Sequence, residues 1–374
     1  MEHAVTLMEM LGAREARAMR QQQLLEEYQL PVISFCLNIA GPVKNSPVLR
    51  RAFREGLERL ECALLAGRLD IVHQEEVDQP TGCEALWVVR GDGRAVKELC
   101  VELEDRDALG RLFDLDVLDP ASGKWDRTQL GQPPRKCLVC GKEGKGCASR
   151  RLHTVEELQS ATQAILEDYF AKKDQQTLGA LAAKALLYEV CTTPKPGLVD
   201  RKNNGSHRDM DVFTFLDSTA ALLPYFEEAV RLGIETRNLP PQETFRRLRQ
   251  AGAAGERAMF RATGGVNTHK GAVFTLGTVC AAAGRLWTAE GFSKDLDAAL
   301  ALCGEMSAQA VQEDFEAIRR EGAHTTGQRI YLEHGLEGIR GELSRGLPAV
   351  AQIGLPTLRR CLEAGDSMEP VSYT

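Results

Sequence analysis

Between Arg135 and His153 the hydrophobic period of the chain changes, and a change of period implies a change of fold. Upstream, the apolar residues alternate. Pro31 to Ile39 sets Ile33, Phe35, Leu37 and Ile39 on one side and Val32, Ser34, Cys36 and Asn38 on the other, the repeat of a strand. Arg111 to Leu118 does the same, with Leu112, Asp114 and Asp116 on one face and Phe113, Leu115 and Val117 on the other. Ala85 to Val89 reads as a further strand. Val5 to Tyr28 and Val48 to Leu65 read as helices; in the first, Leu7, Leu11, Met19 and Leu24 recur at helical spacing while Arg14, Arg17 and Arg20 share another face. Downstream, Leu178 to Val190, Val212 to Leu232, Pro241 to Thr263, Gly271 to Trp287 and Lys294 to Arg320 are all helical in period. A chain of 374 residues exceeds what one core usually serves. The expected architecture is an α+β N-terminal domain, 1–157, followed by an all-α C-terminal domain, 158–374, entered through the capping-box pair Thr154 and Glu157.

The formal net charge of -7 argues against a nucleic-acid or membrane-surface binder, so any anion site must be local. The most apolar stretch, Gly271 to Gly284, is about two thirds of the roughly 20 residues needed to cross a bilayer. Met1-Glu2-His3 does not open a secretory leader, and an odd number of cysteines, eleven, points to reduced thiols. A cytoplasmic protein acting on small molecules is expected.

Four features carry chemistry. Asp114 and Asp116 have the geometry that holds magnesium against a polyphosphate, although two aspartates on the wet face of an edge strand look the same. Cys137-x2-Cys140-x6-Cys147-x5-His153 offers thiolates and an imidazole for a closed tetrahedral zinc site, or is a set of reduced cysteines in a basic segment. The loop Thr192 to Asp211 gathers Lys195, Asp200, Arg201, His207 and Asp209, fit for a triphosphate and magnesium, or for a solvated connector. Gly264-Gly265-Val266-Asn267-Thr268-His269-Lys270 opens directly into an apolar helix, so its backbone N–H groups and Lys270 suit an anion.

Asn38 to Lys44, Gly110-Arg111-Leu112-Phe113-Asp114-Leu115-Asp116-Val117, Arg127 and the stretch from Cys137 to His153 together resemble the citrate lyase holo-acyl-carrier-protein synthase family. Thr193 to Asp211, Gly265 to Gly271, His324 to Tyr331 and Ile339 to Pro348 resemble the triphosphoribosyl-dephospho-CoA synthase family. The two resemblances imply consecutive reactions. The C-terminal domain would join the ribose of ATP to the 2′-hydroxyl of 3′-dephospho-CoA and release adenine. The N-terminal domain would bring a serine hydroxyl of the acyl-carrier (gamma) subunit of citrate lyase onto the α-phosphate of that product and release pyrophosphate. The malonate decarboxylase carrier is the alternative partner.

By the same resemblance, Asp114 and Asp116 hold magnesium, while Arg14, Arg17, Asn38, Lys44 and Arg111 face the phosphates. Asp200, His207, Asp209 and His269 become the catalytic candidates of the second domain, with Lys195, Arg201, Asn267, Lys270 and Arg340 binding substrate. Zinc on Cys137, Cys140, Cys147 and His153 would be structural. Two departures stand out: Ala40 replaces a usual proline, and the chain stops soon after Leu355-Pro356, a shortened C-terminal domain by comparison with the family. Rival readings are a hydrolase of ribosyl-nucleotide bonds and a zinc-stabilised scaffold that docks the carrier.

Overall fold

The computed structural model describes residues 3–365. The chain divides into two compact units, Met1–Phe170 and Ala171–Thr374.

The first unit is an antiparallel sheet with helices on it. Its elements are α1 (Leu7–Tyr28), β1 (Val32–Leu37), α2 (Pro47–Ala66), β2 (Asp70–Gln79), β3 (Gly82–Arg90), α3 (Gly93–Asp105), β4 (Phe113–Asp119), β5 (Gly123–Trp125) and α4 (Gly144–Ser149). The sheet order is β2-β3-β1-β4-β5. In the register, Phe35 lies opposite both Ala85 and Leu115, and Ile33 opposite Trp87 and Val117, so these residues share one face. That face is buried. Phe35 stacks on Phe53 of α2 at 4.9 Å and meets the edge of Phe113 at 5.4 Å. The rings approach α2 at Gly56, where a Cβ would stand 2.3 Å from the Phe35 ring. Burying a side chain such as Phe35 contributes about 1.5–3 kcal/mol.

The opposite face is shared between packing and polarity. At one end Leu24 of α1 closes a cluster with Val32, Leu86 and Val88. At the other end the same face presents Cys36, Glu84, Asp114 and Asp116, because Cys36 pairs with Glu84 on one side and Asp114 on the other. Half of this sheet surface is therefore core and half is left for chemistry.

Some details differ from the sequence reading. Leu112 is buried in a short 3-10 turn before β4 and does not share the face of Asp114 and Asp116. Along α1 only Leu24 is buried, whereas Leu7, Leu11 and Met19 are exposed, so the helical spacing of those residues does not mark a buried stripe. Ala85 to Val89 is the interior of the longer β3. The strand β2 escapes the alternation test because its outward positions and much of its inward face are charged or polar, as suits an edge strand.

A long helix, α5 (Val155–Cys191), contains the division between the units. Its first turn is closed by the expected capping box, Thr154 N–H to Glu157 and Glu157 N–H to Thr154. The second unit continues with α6 (Val212–Glu235), α7 (Pro241–Ala262), α8 (Lys270–Arg285), α9 (Leu296–Glu321), α10 (Thr326–His334), α11 (Gly338–Ser344) and α12 (Leu355–Glu363), with no strand among its described residues. Helices α6 and α8 touch backbone to backbone: a Cβ on Gly233 would lie 2.1 Å from the Ala281 carbonyl oxygen, and one on Gly284 2.4 Å from that of Val230. Farther along, the Tyr225 hydroxyl donates to the Val273 carbonyl at 2.8 Å and occupies the space where a Cβ on Gly277 would stand. Among the described residues no helix is long and apolar enough to cross a membrane.

Candidate functional site

Asp114 and Asp116 project from β4 into a cleft of about 1280 Å³ whose walls come from β4, β5, α3 and the segment 134–162. Lys124 Nζ lies 2.6 Å from an Asp116 oxygen, and Arg135 Nη1 lies 3.7 Å from Asp114 Oδ1. Both carboxylates stay partly exposed to the cleft, so each retains lone pairs for another cation.

Three guanidiniums gather at the same place. Arg111 Nη1 is 3.6 Å from Asp105, and its other nitrogen donates to the Lys136 carbonyl. Arg127 pairs with Asp105 and lies 3.5 Å from Glu104, while Arg135 donates to the Phe113 carbonyl and lies 3.8 Å from Glu104. Burial, and after it the repulsion of Arg135, holds the Arg111 pKa below its ordinary value. Burial also pushes the Glu104 carboxyl up against the pull of Arg135 and Lys97.

Asn38 and Asp114 also line a smaller cavity of about 120 Å³, together with Arg14, Arg17 and Lys44. There Arg17 is paired with Glu84 at 2.8 Å. Lys44 donates to the Ile39 carbonyl, and burial, followed by the nearby Arg14, lowers its pKa. Every N-terminal phosphate ligand expected from sequence thus lines one of two cavities that meet at Asn38 and Asp114. Arg135, Lys124, Lys97 and Glu104 were not anticipated. The only available signal was their polarity, which exposed residues share.

The cysteine cluster forms part of the wall of the large cleft. The ligand atoms of Cys137, Cys140, Cys147 and His153 all lie within 4.8 Å of one another, and Cys140 Sγ is 3.5 Å from Cys147 Sγ. A tetrahedral zinc with bonds of about 2.3 Å separates its sulfurs by about 3.8 Å. The buried Nε2 of His153 has no hydrogen-bond partner, while Nδ1 faces Glu157 at 3.7 Å. That is the disposition of a metal-ligating imidazole with a carboxylate behind it. The donor set fits zinc.

In the second unit the loop after α5 is built around Asp200, which is 2% exposed. Its carboxylate accepts from Thr193 Oγ1 (2.7 Å) and from the N–H groups of Lys195 (3.0 Å), Lys202 (2.7 Å) and Asn203 (2.9 Å). These bonds, that of Thr193 first, hold the Asp200 carboxyl well below the usual carboxylate range. Asp200 spends its oxygens on the loop itself, which makes it an organiser of neighbouring groups.

One of those neighbours is Lys195, paired with Glu189 at 2.7 Å. His269, the residue before α8, feels the charges of both. Its Nδ1 is 2.7 Å from Ser218 Oγ of α6, Ser218 in turn accepts from Thr268 Oγ1 at 2.7 Å, and the buried Nε2 has no partner. Burial pushes the His269 pKa down to about 4, so the imidazole is neutral at pH 7. Asn267 Oδ1 accepts from Lys270 N–H, and Lys270 Nζ pairs with Glu256 at 3.3 Å. Arg201 and Asp209 lie exposed on the loop, and His207 is half-buried there. Arg340 is engaged with Asp314 at 3.4 Å, beside Arg249. Ser218 and Glu189 are the groups that the sequence did not single out, and Thr268 was part of the glycine-rich motif without a role of its own.

Two family models match. Residues 5–169 match CitX, apo-citrate lyase phosphoribosyl-dephospho-CoA transferase, and residues 175–374 match CitG, ATP:dephospho-CoA triphosphoribosyl transferase. Protein CitXG of Haemophilus influenzae is 37% identical over 349 residues, 91% of this chain and 74% of that protein. Protein CitXG of Leuconostoc mesenteroides is 37% identical over 374 residues, 97% of this chain and 79% of that protein. The 2-(5''-triphosphoribosyl)-3'-dephosphocoenzyme-A synthase of Pectobacterium atrosepticum is 40% identical over 210 residues, 55% of this chain and 67% of that protein.

Proposed function

This chain belongs to the CitXG family, in which the two transferases are joined in one polypeptide, and from that membership we propose which of its residues carry the two reactions. It is a bifunctional transferase that forms 2′-(5″-triphosphoribosyl)-3′-dephospho-CoA from ATP and 3′-dephospho-CoA and transfers it to the apo-acyl-carrier subunit of citrate lyase. The acceptor is a serine of the gamma subunit. The compartment is the cytoplasm, where ATP is at hand and the free cysteines stay reduced.

The observation that carries the site assignment is the meeting of Asp114 and Asp116 with Arg111, Arg127 and Arg135 in one large cleft. In the transfer step the serine hydroxyl gives up its proton to solvent as its oxygen forms a bond to the α-phosphorus, the bond to the bridging oxygen breaks, and pyrophosphate leaves with that oxygen. Charge builds on the departing pyrophosphate, where Arg111, Arg127 and Arg135 neutralise it. Asp114 and Asp116 would hold magnesium, a hard cation suited to carboxylate and phosphate oxygens, which would lower the negative charge that repels the nucleophile. Arg14, Arg17, Asn38 and Lys44 extend the phosphate surface into the smaller cavity.

In the second unit Lys195, Arg201 and Lys270 bind the triphosphate, with Asn267 bracing the loop. His269 is the group nearest in character to what adenine needs, a buried neutral imidazole whose free nitrogen can hydrogen-bond a departing purine. His207 and Asp209 are the remaining polar groups of the loop, available to the 2′-hydroxyl and the developing oxocarbenium charge. Arg340, tied to Asp314, is the weakest member of the set.

The test is mass spectrometry of apo-carrier incubated with the protein, magnesium, ATP and 3′-dephospho-CoA, and separately with ready-made precursor. A gain of phosphoribosyl-dephospho-CoA in both is expected. Gain only with the ready-made precursor would remove the synthase assignment, and gain in neither would leave a carrier-binding scaffold. For zinc, elemental analysis should find about one ion per chain in the wild type and a clear loss in Cys137→Ser. Equal zinc in both proteins, or none in either, would remove the metal.

A further inference from the structure

The outer edge of β4 is only partly covered by another strand. β5 pairs with Val117 to Asp119, and the edge from Phe113 to Leu115 lies beyond that ladder. Side chains complete it instead. Arg135 donates to the Phe113 carbonyl, Glu104 Oε1 accepts the Leu115 N–H at 3.0 Å, and Lys97 Nζ donates to the Leu115 carbonyl at 2.6 Å. Leu115 is the residue between Asp114 and Asp116, so α3 fixes the backbone that aims both carboxylates.

Glu104 does more than cap an edge. It is 3% exposed and lines the cleft, an expensive place for a carboxylate unless cations repay its desolvation. Its two oxygens face Arg127 and Arg135 at 3.5 and 3.8 Å, longer than a hydrogen bond, so the guanidiniums are attracted without being saturated. The Nε atoms of both arginines are buried with no acceptor. Arg135 stands between two carboxylates, Glu104 at 3.8 Å and Asp114 at 3.7 Å. Remove the charge of Glu104 and the balance tips toward Asp114.

We propose that Glu104 is a positioning residue of the transfer reaction: it holds Arg127 and Arg135 poised for a polyphosphate and keeps Arg135 from closing onto Asp114. The proposal rests on the reading of this cleft as the phosphate site.

The experiment is calorimetric titration of inorganic pyrophosphate into the full-length wild type and the Glu104→Gln, Glu104→Asp and Arg135→Gln variants and the Glu104→Gln/Arg135→Gln double variant. Glu104→Gln keeps size and an acceptor for Leu115 and removes charge, and should weaken pyrophosphate binding about tenfold. Arg135→Gln should do the same. The double variant should bind less than about tenfold worse than Arg135→Gln alone, because Glu104 acts largely through that arginine and only its hold on Arg127 remains to be lost. Glu104→Asp keeps the charge and should stay within about threefold of wild type. Adenine release by the other unit should be unchanged in Glu104→Gln, and its circular dichroism and zinc content should match the wild type, which reports an intact first unit.

Additive losses, equal loss in Asp and Gln, unchanged binding in Glu104→Gln, or no pyrophosphate binding by the wild type would each overturn the proposal. If the binding cycle holds but the wild type transfers nothing to the carrier, the transferase reading fails and takes the role in transfer with it, while the pyrophosphate site organised by Glu104 stands.

Discussion

The Asp114→Asn/Asp116→Asn double variant is expected to lose at least about three orders of magnitude in transfer from ready-made precursor to the carrier, while releasing adenine from ATP at the wild-type rate. Both substitutions keep the shape of the side chain and remove the charge that would hold a divalent cation. They leave Lys124 without its carboxylate partner and Arg135 with Glu104 alone, but the lost pairs are partly exposed, so the fold should lose no more than about 1 kcal/mol for each. The single variants separate the roles. Asp114, at the junction of the two cavities, should be the more damaging to lose. Transfer within tenfold of wild type in the double variant would remove the carboxylate pair from the mechanism.

The second large effect is expected at Asp200. Asp200→Ala should lower adenine release on the order of 100-fold and leave transfer from ready-made precursor intact. The substitution removes the common acceptor of Thr193, Lys195, Lys202 and Asn203, so the loop loses the fastening that sets Lys195 beside Glu189. Asp200→Asn should fall between, since one amide oxygen cannot replace two carboxylate oxygens. The sign of the pH dependence follows from the depressed carboxyl. What Asp200 gives the loop is complete above the ordinary carboxylate range of about 4 and is lost only as pH falls through the lower folded value. His269, held near 4 by burial, is likewise uncharged from pH 5.5 upward. A fall in synthase rate between pH 7 and 5.5 therefore belongs to another group, and a fall that vanished in Asp200→Asn would contradict this account.

How much of this was visible beforehand depends on whether the cause is local. The alternation of β4 sets Asp114 and Asp116 on one side, and strand geometry permits nothing else. The cysteine spacing closes on itself within one short segment, so its cluster could be read directly. Glu104 could not, because its meaning comes from Arg127, Arg135 and Leu115, brought to it by the sheet. Ser218 and His269 are far apart in sequence and meet only where α6 and α8 pack. Asp200 was visible as an acid but not as a fastener, since a reacting carboxylate and a loop acceptor have the same letter. The spacing in α1 misleads for a related reason: a helix resting on a sheet by one end buries only that end, here Leu24.

The packing of α6 on α8 has a mechanical consequence. Ser218 meets His269 near the beginning of both helices, and Gly233 meets Gly284 near their ends, so the two run parallel and are pinned at two points about 22 Å apart along their length, with Tyr225 between the pins. Such a pair behaves as a lever. A methyl group added at Gly233 cannot be absorbed locally against the Ala281 carbonyl, so α8 must tilt, and the far arm of that tilt carries the imidazole. If His269 serves the reaction proposed for this unit, the geometry of that site depends on glycines a full helix length away from it.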